Sequence, residues 1–219
     1  MSEKSNNTRN LTLMAMMAAI AYAAMLITRP LPNVAGFLSY DLKDVVVVIA
    51  GFILGPAAAA LIAVVVSLVE MLTVSSTGPI GLLMNVLSTL AFALPPALMY
   101  RRSRSLKSAT VGLGLGIVLM TAVMLAWNYI VTPLYMHVER SVVAGMLLSV
   151  FLPFNLVKGG LNAGITMLLY KPLIGALRRS GLLPAARGNG APHRFNLTAT
   201  LVSAFVVVTC AIVFILMTR

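Results

Sequence analysis

With 219 residues, 60% of them hydrophobic and only 10% charged, the chain lacks the polar residues needed to coat a water-facing surface; soluble domains carry about a quarter charged residues. A mean hydropathy of +0.99 makes bilayer lipid the expected solvent. The net charge of +11 does not point to nucleic acid, because the basic residues stand in short clusters between apolar runs.

The opening stretch MSEKSNNTRN is polar and weakly basic and reads as a cytoplasmic tail. The apolar run LTLMAMMAAIAYAAMLIT, residues 11–28, is long for a signal-peptide core, and RPLPNVAGF follows in place of a cleavage site, so it reads as a retained first span. Ala15, Ala19 and Ala23 recur along it at four-residue spacing. Small residues at that period let another helix approach closely, either from within the bundle or from a partner docking laterally. The second segment, DVVVVIAGFILG at 44–55, is too short to span unaided, and Asp44 reads as its N-cap. The third, PAAAALIAVVVSLVEMLT, starts with proline at a favourable first helical position; its Glu70 lies one turn from the outer loop, within reach of water. A fourth segment at about 79–100 is expected to kink at Pro95–Pro96. A fifth runs from about 108 to 131, up to TPLY, and a sixth from about 142 to 170. After the polar stretch RRSGLLPAARGNGAPHR comes a seventh at about 196–217.

Charge orients these segments. Lys4 and Arg9 precede the first; Arg101, Arg102, Arg104 and Lys107 separate the fourth from the fifth; Lys171, Arg178, Arg179, Arg187 and Arg194 separate the sixth from the seventh. These alternate loops are cytoplasmic by the positive-inside rule. The opposite loops, RPLPNVAGFLSYDLK, VSSTGPIG and PLYMHVERS, face outside and are only mildly basic, with Lys43 and Arg140. No acid sits mid-span, so a carboxylate proton relay has no candidates. Cys210 has no second cysteine to pair with, and His137 and His193 lie in separate loops, so neither a disulfide nor a metal site is expected. No GxxxxGK[ST], GxSxG or HExxH occurs, and no catalytic constellation is visible; the chain is not expected to be an enzyme.

The sixth segment holds LPFNLVKGG, with an asparagine and a lysine in apolar surroundings. Asn155, Lys158 and Asn162 fall at i, i+3 and i+7, on one helical face. Lys158 is too far from the cytoplasmic cluster at Arg178 to snorkel, so the face should point into the bundle, as a structural polar stripe or as a ligand site. Other residues suit a ligand. Asn128 sits between Trp127 and Tyr129, Tyr135 follows, Phe154 adjoins Asn155, and the first outer loop supplies Phe37, Tyr40 and Asp41. Amides, one cation and aromatics suit a flat, mostly neutral heteroaromatic, because asparagine both donates and accepts and lysine donates to a carbonyl or ring nitrogen. An interfacial aromatic belt is the competing reading of Trp127, Tyr129 and Tyr135.

An alanine-rich first helix, a loop ending YDLKDV, then GFILGPAAA, STGPIGLLMNVLS, WNYIVTPLY and LPFNLVKGG…LLYKPL follow in that order. The chain thereby resembles, over about 11–175, the substrate-binding S component of energy-coupling factor (ECF) vitamin transporters, specifically the riboflavin branch. The resemblance implies a six-helix membrane protein that binds riboflavin in its outer half, with the long first outer loop as a gate. It implies that the alanine face of the first helix docks on a transmembrane coupling subunit that works with two ATPase subunits. It implies flavin contacts for Asn128, Asn155 and Lys158, a gate segment at Leu38, Ser39 and Tyr40, and a further site residue at Asn85. Trp127, Tyr135 and Asn162 complete the candidate set. No cofactor is implied; riboflavin is the transported ligand. The third helix departs from the pattern: Val66, Ser67 and Glu70 stand where riboflavin members often carry lysine, asparagine and histidine.

The expected fold is all-α, a polytopic membrane helix bundle. It comprises a cytoplasmic tail (1–10), a six-helix S-component-like core (11–175), a cytoplasmic basic linker (176–195) and one additional transmembrane helix (196–219). The expected function is riboflavin capture for an ECF-type importer in a bacterial plasma membrane, with the N-terminus cytoplasmic and the C-terminus outside. The alternative is a stand-alone secondary carrier for a flavin or another small heteroaromatic. Inverted repeats would favour it, but the short second segment and the kinked fourth do not form such a pair.

Overall fold

The computed structural model describes residues 3–75, 77–179 and 197–218. Most of the expected linker, with Arg187, His193 and Arg194, and the terminal Arg219 lie outside the described residues. The elements are α1 (Glu3–Thr28), α2 (Lys43–Leu54), α3 (Pro56–Thr73), α4 (Gly78–Ser103), α5 (Leu106–Met136), α6 (Arg140–Met146), a π-helical turn (Leu147–Phe151), α7 (Leu152–Arg179) and α8 (Leu197–Met217). Among the described residues, six helical runs are long and apolar enough to cross a membrane: 8–28, α3, α4, α5, Arg140–Tyr170 and α8. The protein is a multi-pass membrane protein.

Helix α1 begins two turns before the apolar run, because nothing in EKSNNTRN breaks a helix. It ends at Thr28, two residues before Pro30, whose ring disfavours helical geometry in the residue it follows. The loop that follows is folded rather than slack. Val34 and Leu38 exchange backbone hydrogen bonds, Val34 N–H to Leu38 O at 2.9 Å and Leu38 N–H to Val34 O at 3.0 Å. The reversal between them passes through Ala35 and Gly36 at φ of 52° and 82°.

At 12 residues α2 is shorter than these six runs, yet it forms the centre of the bundle: Val45, Val47, Val48, Ile49 and Ala50 are at most 2% exposed. Asp44 is not its N-cap. Leu42 holds that position without a side-chain bond, and Asp44 lies in the first turn, turned inward and fully buried. Gly55, at φ 97°, makes the break into α3, and Pro56 opens that helix as expected.

Prolines stand inside two of the long helices. α4 runs helically through Pro95 and Pro96, both buried against α5. Pro96 has no N–H for the Phe92 carbonyl, and α5 brings glycines to that spot. A Cβ added at Gly112 would stand 2.5 Å from Pro96 Cα, and one at Gly116 2.3 Å from Phe92 O. In lipid, close packing of this kind replaces the hydrophobic drive between helices. α5 likewise continues past residue 131 and through Pro133, ending only at His137, whose φ of 54° closes it. The sixth segment is split by the π-helical turn just ahead of Leu152–Pro153, where proline again withholds a ladder N–H. α7 continues to Arg179, beyond the expected domain boundary at 175.

One apolar cluster joins α1 to α5 around Ala21, Val47, Ile62, Phe92 and Met120. A second joins the first loop to the α6–α7 run and α8 around Val34, Leu38, Tyr40, Phe151, Phe154 and Phe214.

Candidate functional site

A cavity of about 460 Å³ opens between the loop after α1, the C-terminal end of α3, the N-terminal half of α4, the C-terminal half of α5 and the start of α7. That volume is within the ordinary range for small-molecule sites, roughly 300–1,000 Å³. Leu38, Ser39, Tyr40, Asn85, Trp127, Asn128, Tyr135, Asn155 and Lys158 all line it. Asn162 does not.

The α7 face builds the polar wall. Asn155 sends one amide hydrogen back to the Phe151 carbonyl at 2.8 Å, and on α5 Asn128 does the same to Met124 at 2.7 Å. Thr132 then donates to Asn128 Oδ1 at 2.8 Å. Each amide keeps a second N–H and acceptor capacity for a guest. Lys158 Nζ lies 3.0 Å from Asp41 Oδ2 and 3.7 Å from Asp44 Oδ2. It is therefore paired, but it also borders the cavity. Burial works against ionisation of Asp41, but Lys158 and Lys43 outweigh it and hold the carboxyl below its ordinary range. Its Oδ1 has no hydrogen-bond partner among the described residues.

Asn162, fully buried, sits behind this wall. Tyr40 donates its hydroxyl to Asn162 Oδ1 at 2.8 Å, and the Asn162 amide reaches Asp41 O and Asp44 Oδ2, both at 3.4 Å. Burial, then the carboxylates of Asp41 and Asp44, push the Tyr40 phenol above its ordinary range and keep it a donor. Asn162 is thus a latch joining α7 to the first loop and α2, on the structural side of the stripe. One acid falls elsewhere than expected: Asp44 is buried at the centre, accepting from Thr89 at 2.6 Å. Glu70, its side chain 15% exposed, accepts from Lys43 at 2.5 Å, and Lys43, expected in an outer loop, is 1% exposed. Among the three departures in α3, Val66 and Ser67 are buried away from the cavity and Glu70 lines it.

The aromatics divide. Trp127, Tyr135, Phe37 and Phe154 line the cavity, whereas Tyr129 lies off it, 41% exposed beneath the Arg140 guanidinium. Tyr135 is itself 43% exposed while lining the cavity. On α1, Ala15, Ala19 and Ala23 are exposed while Ala21 packs into the core. Sequence reasoning missed Arg29, Met84, Met124 and Thr132 in the lining. Their types carry no signal, and only the fold brings them to one space.

Comparison with known proteins places this geometry. The family described as "ECF transporter, substrate-specific component" matches residues 9–170. The riboflavin transporter RibU of Staphylococcus aureus is 33% identical over 179 residues, covering 79% of this chain and 94% of that protein. The riboflavin transporter FmnP of Bacillus subtilis is 30% identical over 165 residues, covering 69% and 84%. A solved structure described as "Structure and mechanism of the S component of a bacterial ECF transporter" superposes with a TM-score of 0.67 at 32% identity, covering 80% of this chain and 99% of that one. With its helical bundle, its enclosed polar wall and a match spanning α1 to most of α7, the chain belongs to the substrate-specific components of ECF transporters.

Proposed function

We propose that this chain captures riboflavin from outside a bacterial plasma membrane and releases it inward through an ECF coupling subunit driven by two ATPase subunits. One observation carries the ligand assignment: Asn128, Asn155 and Lys158 line the same cavity as Trp127, Phe37 and Phe154. A flavin ring presents carbonyl oxygens and an imide N–H along one edge. The two amides match that alternation, a remaining ammonium hydrogen of Lys158 serves a carbonyl or ring nitrogen, and the aromatics flank the ring faces. Ser39, Asn85 and Glu70 supply polar partners for the ribityl hydroxyls. The names of the curated relatives support the same vitamin.

The outward alanines of α1 are the docking strip for the coupling subunit, since Ala15, Ala19 and Ala23 offer a flat, small-residue surface exposed along one side. Reading the basic loops as cytoplasmic by the positive-inside rule, we propose an N-terminus in the cytoplasm and a C-terminus outside.

Purification in detergent tests the ligand. Protein carrying flavin absorbance, or quenching the fluorescence of added riboflavin at stoichiometric ratio, is the expected result. Colourless protein that leaves riboflavin fluorescence unchanged overturns the assignment.

A further inference from the structure

The family match ends at residue 170, so α8 lies beyond the family's unit. It packs closely along α7. A Cβ added at Gly160 would stand 2.7 Å from Cys210 Sγ, and one at Gly164 2.6 Å from Val207 Cγ2 and 3.2 Å from Ser203 O. Two glycines four residues apart make the trough in which α8 rests. Most of its other side chains face outward, Phe205 being 71% exposed.

Phe214, only 7% exposed, is the most buried side chain of α8 and belongs to the cluster that joins Val34, Leu38 and Tyr40 of the first loop to Phe154, Val157 and Leu161 of α7. The rings of Phe214 and Tyr40 lie 5.7 Å apart, tilted by 57°, an attractive aromatic geometry. Tyr40 is also the residue whose hydroxyl is latched to Asn162 and which lines the cavity. The stretch Gly36–Asp41 forms one wall of that cavity, so a guest held against it is released when the stretch moves.

We infer that α8 is a built-in brace: through Phe214 it holds the first loop against the cavity and slows ligand exchange. A ring packed on Tyr40 stabilises the closed loop, while the opened loop loses that contact. The brace therefore acts on the rate of opening, and Phe214 is a positioning residue that touches no ligand. The kinetic part of this inference rests on the flavin reading of the cavity; the structural part does not.

The test uses the full chain with Phe214→Ala, Phe214→Leu and, as a control on the lipid-facing side of the same helix, Phe205→Ala. Two quantities are read. The first is hydrogen exchange of the Val34 and Leu38 amides in ligand-free protein. The second is the riboflavin dissociation rate, from recovery of fluorescence. Phe214→Ala should speed both by about tenfold, the loss of one buried aromatic contact. Phe214→Leu, which keeps apolar bulk, should give about threefold and serves if the alanine variant does not fold. Phe205→Ala should change neither. Unchanged exchange at Val34 and Leu38 in the Phe214 variants overturns the brace. Faster exchange in a protein that never binds riboflavin sustains the brace and removes the flavin assignment.

Discussion

Lys158 serves two sets of neighbours at once. Asp41 and Asp44 engage its ammonium at 3.0 and 3.7 Å, and the cavity borders the rest of the group. A charge this deep in a membrane protein needs such partners, since removing one member of a buried pair leaves the other uncompensated, at about 3–5 kcal/mol. Lys158→Ala is therefore expected to lower the melting temperature in detergent as well as riboflavin affinity. The affinity should fall at least about tenfold, because a hydrogen bond from a charged donor contributes about 1.5–3 kcal/mol. Asp41→Asn leaves the Asp44 pair in place and should stay folded, with affinity changed by less than about tenfold. Melting curves and quenching titrations check both; wild-type affinity in Lys158→Ala would make the lysine a counter-ion alone. The periodicity of Asn155, Lys158 and Asn162 was enough to read a shared inward face. It was not enough to sort the stripe, because the partners that turn Asn162 into a latch come from residues 118 to 122 positions away. Asp44 was misread for a related reason: an acid in a first helical turn is favourable by itself, and nothing local says that it points inward.

The helices were legible where apolar runs are bounded by charge or by Gly–Pro, as at Gly55–Pro56. The end of the fifth was misread at Pro133, through which α5 runs on to Met136. Pro96 costs α4 a ladder bond at Phe92, but Gly112 and Gly116 let α5 press against that turn, and a helix alone cannot reveal this. The alanines of α1 show the opposite case. The sequence period left internal and external packing equally open, and the exposure of Ala15, Ala19 and Ala23 resolves it within this chain. Ala19→Leu therefore adds bulk to an exposed face without overpacking the bundle. The expected outcome is riboflavin affinity within about twofold of wild type, an unchanged melting temperature and loss of cellular uptake. Vitamin uptake and binding measured on the same variant check this; loss of binding together with uptake would place the alanine face against another part of the chain.

Taken whole, the protein has a polar-walled cavity and no nucleotide-hydrolysis motif in the sequence, but it does contain a largely buried cluster of three carboxylates and two lysines. Asp41 and Asp44 meet Lys158, and Glu70 meets Lys43. A stand-alone carrier driven by protons would use such a cluster as its relay, so the energy source is the decisive question. Here each carboxylate is held by a lysine, with Thr89 and Asn162 adding bonds to Asp44, and that arrangement fixes loop, α2, α3 and α7 together. A framework tied this tightly suits binding better than repeated protonation. Cells producing the chain alone are accordingly expected to show membrane-bound riboflavin without accumulation. Adding a coupling subunit and two ATPase subunits should produce uptake that is lost when the ATPases are inactivated and persists in a protonophore while ATP is maintained. Radiolabelled riboflavin accumulation in these strains checks it. Accumulation by the chain alone that collapses with the proton gradient would instead make Asp41, Lys158 and Asp44 a relay and the protein a secondary carrier.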